Sequence, residues 1–467
     1  MRFEEQWQRL EAEAGRDVAE AMKELYAIYE PKVVDWFAGL YDPRYGGYYY
    51  SNSARDDKIV SDREGTYGLY VDCESTMQAL NFITASGMAD FAGGHYTDVL
   101  PEWMREDIKK YVMGLQDESG FFYNPQWPRE KTDAHISRRA RDLSWCTGML
   151  SNLGVSPTYD TPNGVRGSGK RYDGTEVSLK KPAETVNECG GSNTESAAAH
   201  APHLEDGNAF RAYLQGMLDE NRKLRFYSIG NQLTAEMPQI KKRSAELVAM
   251  GKESLVDIVI EWLNEHQNKE NGLWEPEANY LGVNGLLKIS GVYEQAGLEI
   301  PNAEAAARSA ISAITSDEPM GAVVDLYNTW FAVGNIISNL RKLGRTEIEN
   351  GVELDGNARA DRIVEGLRRI APPAIRKSAE KIYAFAKPDG SYSYAKNYPS
   401  PTSQGMPVCT PWIREGDVNG SVIAINGIKN HIYISLEIKN RVPLFGREEW
   451  DRYLEILESN RAKMLKL

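Results

Sequence analysis

The sequence predicts an all-α protein built from stacked helical hairpins. Three observations lead there: helical spacing of apolar residues along most of the chain, an alternation of two helix types, and a recurring glycine-aromatic turn. Apolar residues recur at helical spacing over 3–28, 30–40, 70–91, 101–116, 135–153, 207–222, 240–267, 279–296, 302–315, 320–343, 358–386, 417–437 and 446–464. That pattern predicts about 13 helices. Alternating patterns are few: 45–51 and 390–395 read as short hairpin arms, and 431–438 fits helix or strand.

The helices are of two kinds. One is amphipathic and highly charged, as at 243–267 and 359–386. The other is almost uncharged and carries small residues, as at 279–293 and 321–340. A helix that is apolar all round must be surrounded by protein, and interior glycine is costly unless close approach requires it. An outer layer of amphipathic helices around an inner layer of buried ones satisfies both.

Four turns share a glycine followed by aromatics: DPRYGGYYY (42–50), QDESGFFY (116–123), QNKENGLW (267–274) and KPDGSYSY (387–394). An almost uncharged helical stretch follows each. Helix, glycine-aromatic turn, helix is a hairpin unit that cannot bury its faces alone and must stack. The turns resemble the Gln-x-x-(Asp)-Gly-aromatic turn of the α/α toroids, a fold shared by prenyltransferase β subunits, terpenoid cyclases, polysaccharide lyases and glycosidases. The resemblance implies an (α/α)6-like toroid of helical hairpins, with minor β-hairpins and one domain spanning 1–467. The stretch 154–207, rich in Gly, Ser, Thr and Asn, interrupts the pattern and is expected as a long insertion bordering the cleft. A second polar stretch, 396–420, is expected at the same mouth.

Composition narrows the function. With 25 Tyr, 11 Phe and 10 Trp in 467 residues, disorder is excluded. A net charge of −13 disfavours nucleic acid or an anionic membrane as the main partner. No run reaches the roughly 18 apolar residues of a membrane span. The N-terminus is charged and helical in pattern, without an apolar signal core, so a cytoplasmic location is expected, with a trimmed secreted form as the alternative. Cys73, Cys146, Cys189 and Cys409 are scattered, with no CxxC pair, so neither a disulfide framework nor a thiolate zinc site is expected.

From Pro128 to Lys181, ten Lys/Arg stand against six Asp/Glu, a local +4 in an acidic chain. His135, Arg138 and Arg141 share a helix face, with Arg139 beside them. Such a basic focus suits a carboxylated or sulfated ligand, although a solvated helix start balanced by Asp133 and Asp142 accounts for it equally. Asn187, Asn193, His200 and His203 cluster in a chain that has six His. This cluster reads as a general base, a metal pair or a capped helix start; metal is disfavoured, because no third ligand has a recognisable spacing. Tyr280, Asn284, Tyr327, Asn328 and Trp330 lie on the uncharged helices, where they face a cavity or hydrogen-bond within the core. Carboxylates at the mouths, Asp72 with Glu74, Glu275 with Glu277, Asp325, and Glu415 with Asp417, serve either acid–base chemistry or helix capping.

Other toroid activities fit less well. The prenyltransferase zinc site has Asp-x-Cys, whereas Asp72 and Cys73 are adjacent. No Asp-x-Asp-Asp run of the protonating cyclases occurs, and no nucleotide, nucleophile-elbow or HExxH motif. The toroid resemblance therefore implies a carbohydrate-active enzyme without cofactor or metal. The favoured reaction is β-elimination on a uronate-containing glycan, as in toroid polysaccharide lyases, although no lyase motif matches contiguously. That chemistry asks for neutralisers of the uronate carboxylate (Asn193, Arg138), a base (His200 or His203) and an acid (Tyr280 or Tyr327). Arg139, His135, Asn284, Trp330, Trp412 and Arg414 are the expected substrate-binding residues. A glycoside hydrolase with paired carboxylates and a non-catalytic sugar-binding toroid are the alternatives.

Overall fold

The computed structural model describes residues 3–61, 65–167, 169–172, 200–220, 225–349 and 351–466. Helix makes up 61% of the structure, and the strands among the described residues form short two-stranded antiparallel hairpins.

The long pattern at the N-terminus divides into α1 (Glu4–Ala14) and α2 (Arg16–Tyr26), because Gly15 takes φ 92 between them. After α3 (Lys32–Leu40), the turn at 42–47 pairs β1 (Tyr41–Asp42) with β2 (Gly47–Tyr48). The short α4 (Asn52–Asp56) and the β3 (Ile59–Ser61)–β4 (Thr66–Gly68) hairpin follow. Next comes α5 (Cys73–Ser86), capped by Asp72 and stopped by Gly87 at φ 90. α6 (Tyr96–Val99), α7 (Glu102–Leu115), α8 (Arg129–Ala134) and α9 (Ile136–Asn152) continue the chain.

Beyond the insertion, α10 (Gly207–Glu220) precedes α11 (Arg225–Ala249). The helix predicted over 240–267 is in fact two. α11 begins fifteen residues before that pattern and carries Pro238 in its interior, and it ends before Gly251; α12 (Leu255–His266) restarts under a Ser254 cap. A proline donates no hydrogen bond and disfavours a helix locally, which hid the first part of α11. α13 (Tyr280–Ala296), α14 (Ala303–Thr315) and α15 (Val323–Leu343) lead through the β5 (Glu347–Glu349)–β6 (Val352–Leu354) hairpin to α16 (Gly356–Tyr383). The polar stretch at 396–420 contains the hairpin β7 (Thr402–Ser403)–β8 (Met406–Pro407). α17 (Val418–Val422) then runs through a π-helical turn, Ile423–Gly427, into α18 (Ile428–Ser435), so the ambiguous 431–438 segment is helical up to Ser435. α19 (Arg447–Met464) ends the chain.

Packing follows the two helix types only in part, since α11 carries Lys241, Lys242 and Arg243 yet packs along α13. α11 packs on α13, α13 on α15, α15 on α18, α17 on α5, and α5 on α9. Other helices flank this succession: α14 lies on α13 and α15, α16 on α14 and α15, and α12 on α11. Residues from the two chain ends also meet, α2 against α16 and α3 against α19. In α13 the one exposed position is Glu294, whereas α16 turns Asp361, Arg362, Glu365, Arg369 and Glu380 to solvent. A helix surrounded by protein has no place for such side chains.

The four glycine-aromatic turns are built alike. Gly46, Gly120, Gly272 and Gly390 all have positive φ, and each lies against the backbone of a neighbouring segment. At Gly390 (φ +84) a Cβ would come within 2.8 Å of Val33 N at the start of α3, so only glycine allows the turn and the contact together. Two of the turns also share a clamp. Gln116 Nε2 donates to Gly120 O and Tyr159 O, and Gln267 Nε2 to Gly272 O and Pro301 O.

Candidate functional site

Three helical segments contribute side chains to one cavity of about 430 Å³. α5 contributes Glu74, Gln78 and Asn81; α15 contributes Val324 and Tyr327; the 417–427 segment contributes Asn419, Val422, Ile423 and Gly427. Arg141 and Trp145 of α9 form another wall, joined by Tyr50 and Tyr394 from two of the glycine-aromatic turns. The β7–β8 hairpin supplies Thr402, Ser403 and Gln404. Each of these helices starts in an extended residue, and Asp72 and Asp417 cap α5 and α17 through Ser75 N and Gly420 N.

A buried charge cluster forms the α5–α9 wall. Glu74, 5% exposed, accepts from Arg138 Nη1 at 2.6 Å, Arg141 Nη2 at 2.7 Å, Ser403 Oγ at 2.9 Å and Gln78 Nε2 at 3.4 Å. Arg138 also pairs with Asp142, which accepts from Cys73 Sγ at 2.9 Å. Burial works against the Arg138 charge, but Asp142 and Glu74 outweigh it and hold the guanidinium ionised. Arg141 is more open, 40% exposed at the side chain, and presents the rest of its fork to the cavity.

The cavity tyrosines are held protonated. Burial pushes the Tyr327 phenol upward. Burial, Asp325, Tyr227 and Asp417 do the same for Tyr394, against the charge of Arg141. Tyr327 packs edge-on to His431, ring centroids 4.7 Å apart, and burial lowers that histidine to about 4, so it is neutral. At Gly427, in ordinary helical conformation, a Cβ would lie 2.8 Å from the Tyr327 ring, so the glycine serves as clearance.

The residues singled out from sequence are dispersed. Tyr327 lines the cavity. Arg138 does not: at 1% exposure it stands behind Glu74, and Arg141, one turn on, takes the cavity position. Arg139 pairs with Asp133 and covers the Phe121 ring, and His135 Nδ1 donates to Lys131 O while its ring abuts Gly405. Tyr280 is buried, its hydroxyl 2.6 Å from Lys381 Nζ, and Asn284 Oδ1 accepts from Asn328 Nδ2. Trp330 corrects the sequence reading outright. It is 0% exposed and donates to Ser378 Oγ, a core residue with no surface for a ligand. Trp412 is 80% exposed and contacts Tyr398, while Arg414 is exposed; neither lines the cavity.

His200 and His203 sit together at a second pocket of about 380 Å³ that includes Glu236 and Arg243. His200 faces Glu205, and His203 stacks on Tyr213 and faces Glu236. Asn193, with Asn187 and Cys189, lies outside the described residues, as does most of the 154–207 stretch. Its described part, around Tyr159 and Asp160, packs on the 116–120 turn, and no described residue of 154–207 lines the larger cavity.

Sequence reasoning passed over Gln78, Asn81, Trp145, Tyr50, Tyr394 and Asn419. One signal was available: Glu74, Gln78 and Asn81 recur at helical spacing on an otherwise uncharged helix. Among the described residues no group of three or more His, Cys, Asp or Glu could hold a metal ion. No helix among them is long and apolar enough to cross a membrane. Compared with protein-family models, curated proteins and solved structures, the chain matches none.

Proposed function

We propose that the chain is an (α/α)6-like toroid and a carbohydrate-active enzyme that cleaves uronate-containing glycans by β-elimination. The succession α11, α13, α15, α17–α18, α5, α9 supplies six inner helices that alternate along the sequence with flanking ones, and the chain ends pack together. Both features support the toroid.

The observation that carries the function is the grouping of Arg141, Tyr327, Tyr394, Asn81 and Asn419 in one cavity. Elimination removes the weakly acidic C5 proton beside a carboxylate, whose developing charge must be neutralised. Arg141 and the two amides serve that purpose. Tyr327, kept protonated by burial, gives its proton to the leaving oxygen. Glu74 orients Arg141, since its lone pairs are already taken. Among the described residues it is also the one carboxylate lining the cavity, which disfavours hydrolysis by an opposed carboxylate pair.

The test is incubation with polygalacturonate, alginate and hyaluronan, followed at 235 nm. A lyase produces the unsaturated-uronate chromophore, a hydrolase produces reducing ends without it, and a binding protein produces neither. Tyr327→Phe is expected to lower the elimination rate by about 10²-fold or more, with the far-ultraviolet circular dichroism unchanged.

A further inference from the structure

We propose that Trp412, Tyr398 and Arg414 form an outer platform that binds the carboxylated glycan where it leaves the cavity. The inference rests on the uronate-glycan reading and extends it: the ligand is a chain longer than the cavity holds.

Trp412 stands in a way that folding does not explain. At 80% it is the most exposed large hydrophobic side chain among the described residues, and Ile413 beside it is also exposed. Its backbone is left-handed, with φ +68. A bulky L-residue rarely adopts that conformation, because its Cβ crowds the following carbonyl. Neither the exposure nor the strain stabilises the fold. An aromatic held open to water at a strained position points instead to a binding role.

The loop that carries Trp412 is closed at its base. Thr410 N donates to Ser53 Oγ at 3.2 Å, while Ser53 N and Oγ donate to the Glu415 carboxylate at 2.9 and 2.5 Å. One serine of α4 therefore ties both ends of the loop. Ser51 Oγ adds a donor to Glu415 at 2.8 Å, and Glu415 is buried. Between these anchors, Trp412, Ile413 and Arg414 are exposed.

This arm adjoins the cavity on two sides. Ser51, at its base, follows Tyr50, which lines the cavity. Tyr398 meets the Trp412 ring edge-on, centroids 5.7 Å apart, and stands two residues before Ser400, another lining residue. Cys409 Sγ donates to Ser400 O at 3.5 Å and joins the two segments. A chain leaving the cavity past Ser400 runs onto Tyr398 and Trp412.

The chemistry of the arm selects its occupant. An indole offers a broad apolar face to the C–H face of a sugar ring, whose hydroxyls stay in water. Arg414 is exposed and makes no ion pair among the described residues, so its guanidinium is available to a carboxylate. Three exposed side chains fall far short of the roughly 20–30 residues a side of a stable protein interface. One extended acidic glycan fits the arm better than a second protein surface.

The test is calorimetric titration of the full chain with a disaccharide and a long oligosaccharide from each of polygalacturonate, alginate and hyaluronan. Trp412→Ala should weaken the long oligosaccharide about tenfold and leave the disaccharide within about twofold, with circular dichroism unchanged. Trp412→Phe, which keeps an aromatic face, should recover most of the lost affinity. Native-like affinity for the long oligosaccharide in Trp412→Ala, or an equal loss for both lengths, overturns the platform and leaves the elimination reading to its own assay. Binding through Trp412 without a chromophore at 235 nm supports the platform and overturns the elimination. Failure of the native chain to bind any of the three long oligosaccharides overturns the platform. Self-association by light scattering that Trp412→Ala abolishes, with glycan binding intact, assigns the arm to a second copy of the chain and overturns it as well.

Discussion

Arg141 and Glu74 form a 2.7 Å ion pair at the wall of the cavity, and Arg138 meets the other oxygen of the same carboxylate from behind. The two arginines, three residues apart on α9, therefore do different work. Arg138→Leu leaves Glu74 and Asp142 buried beside one another without their shared cation, and should cost about 3–5 kcal/mol in urea unfolding. Arg141→Gln should leave stability within about 1 kcal/mol, because the native pair is partly exposed. The same variant should lose about 10²–10³-fold in elimination rate if Arg141 neutralises the uronate. Equal stability losses in both variants would contradict this division.

The turn glycines should be separable from ordinary left-handed glycines. Gly251 has φ +73 and nothing within 4 Å of where an alanine methyl would stand, whereas Gly390 has φ +84 with Val33 N 2.8 Å from that point. Gly251→Ala should cost the left-handed strain alone, about 1–2 kcal/mol. Gly390→Ala should cost clearly more, because backbone at the start of α3 must move. Matching unfolding midpoints would show that the close approach is not needed.

Two tryptophans give opposite expectations. Trp330, fully buried and hydrogen-bonded to Ser378, should cost about 3–5 kcal/mol on truncation to Ala. Trp412, 80% exposed, should change stability by less than about 0.5 kcal/mol. Calorimetry of both variants checks the contrast. A stability loss above about 1.5 kcal/mol in Trp412→Ala would show packing that its exposure does not reveal.

Lys429 makes a pH-dependent prediction. It is 2% exposed, donates to Ala85 O at 2.9 Å, and burial lowers it to about 7, with Arg441 adding to the effect and Asp90 opposing it. Between about 7 and the ordinary lysine value of 10.5 the unfolded chain holds a proton that the folded chain lacks. Stability therefore rises with pH across that window, and the cost of the buried charge is full below about 7. Lys429→Met should flatten this slope and gain at least about 1 kcal/mol at pH 6. An unchanged slope between pH 7 and 10 would rule out Lys429 as its source.

What was legible in the sequence is what neighbouring residues decide among themselves. Apolar spacing located α5, α7, α9, α13, α14 and α15 closely, since an amphipathic or buried face is written in local periodicity. The glycine-aromatic turns were legible because positive φ and backbone contact demand glycine at a fixed offset. Pro238 and Gly251 obscured α11 and α12, as local preference there opposes or ends the helix that packing on α13 sustains. The candidate site was mostly illegible. Helical spacing puts Arg138 and Arg141 on one face, but only the position of α5 and of the β7–β8 hairpin decides that Glu74 and Ser403 cover the first and leave the second open. Tyr50, Glu74, Tyr327, Tyr394 and Asn419 stand hundreds of residues apart in part, and no periodicity links them. Their meeting depends on the order in which whole helices pack, a property of the tertiary structure that no short stretch of sequence contains.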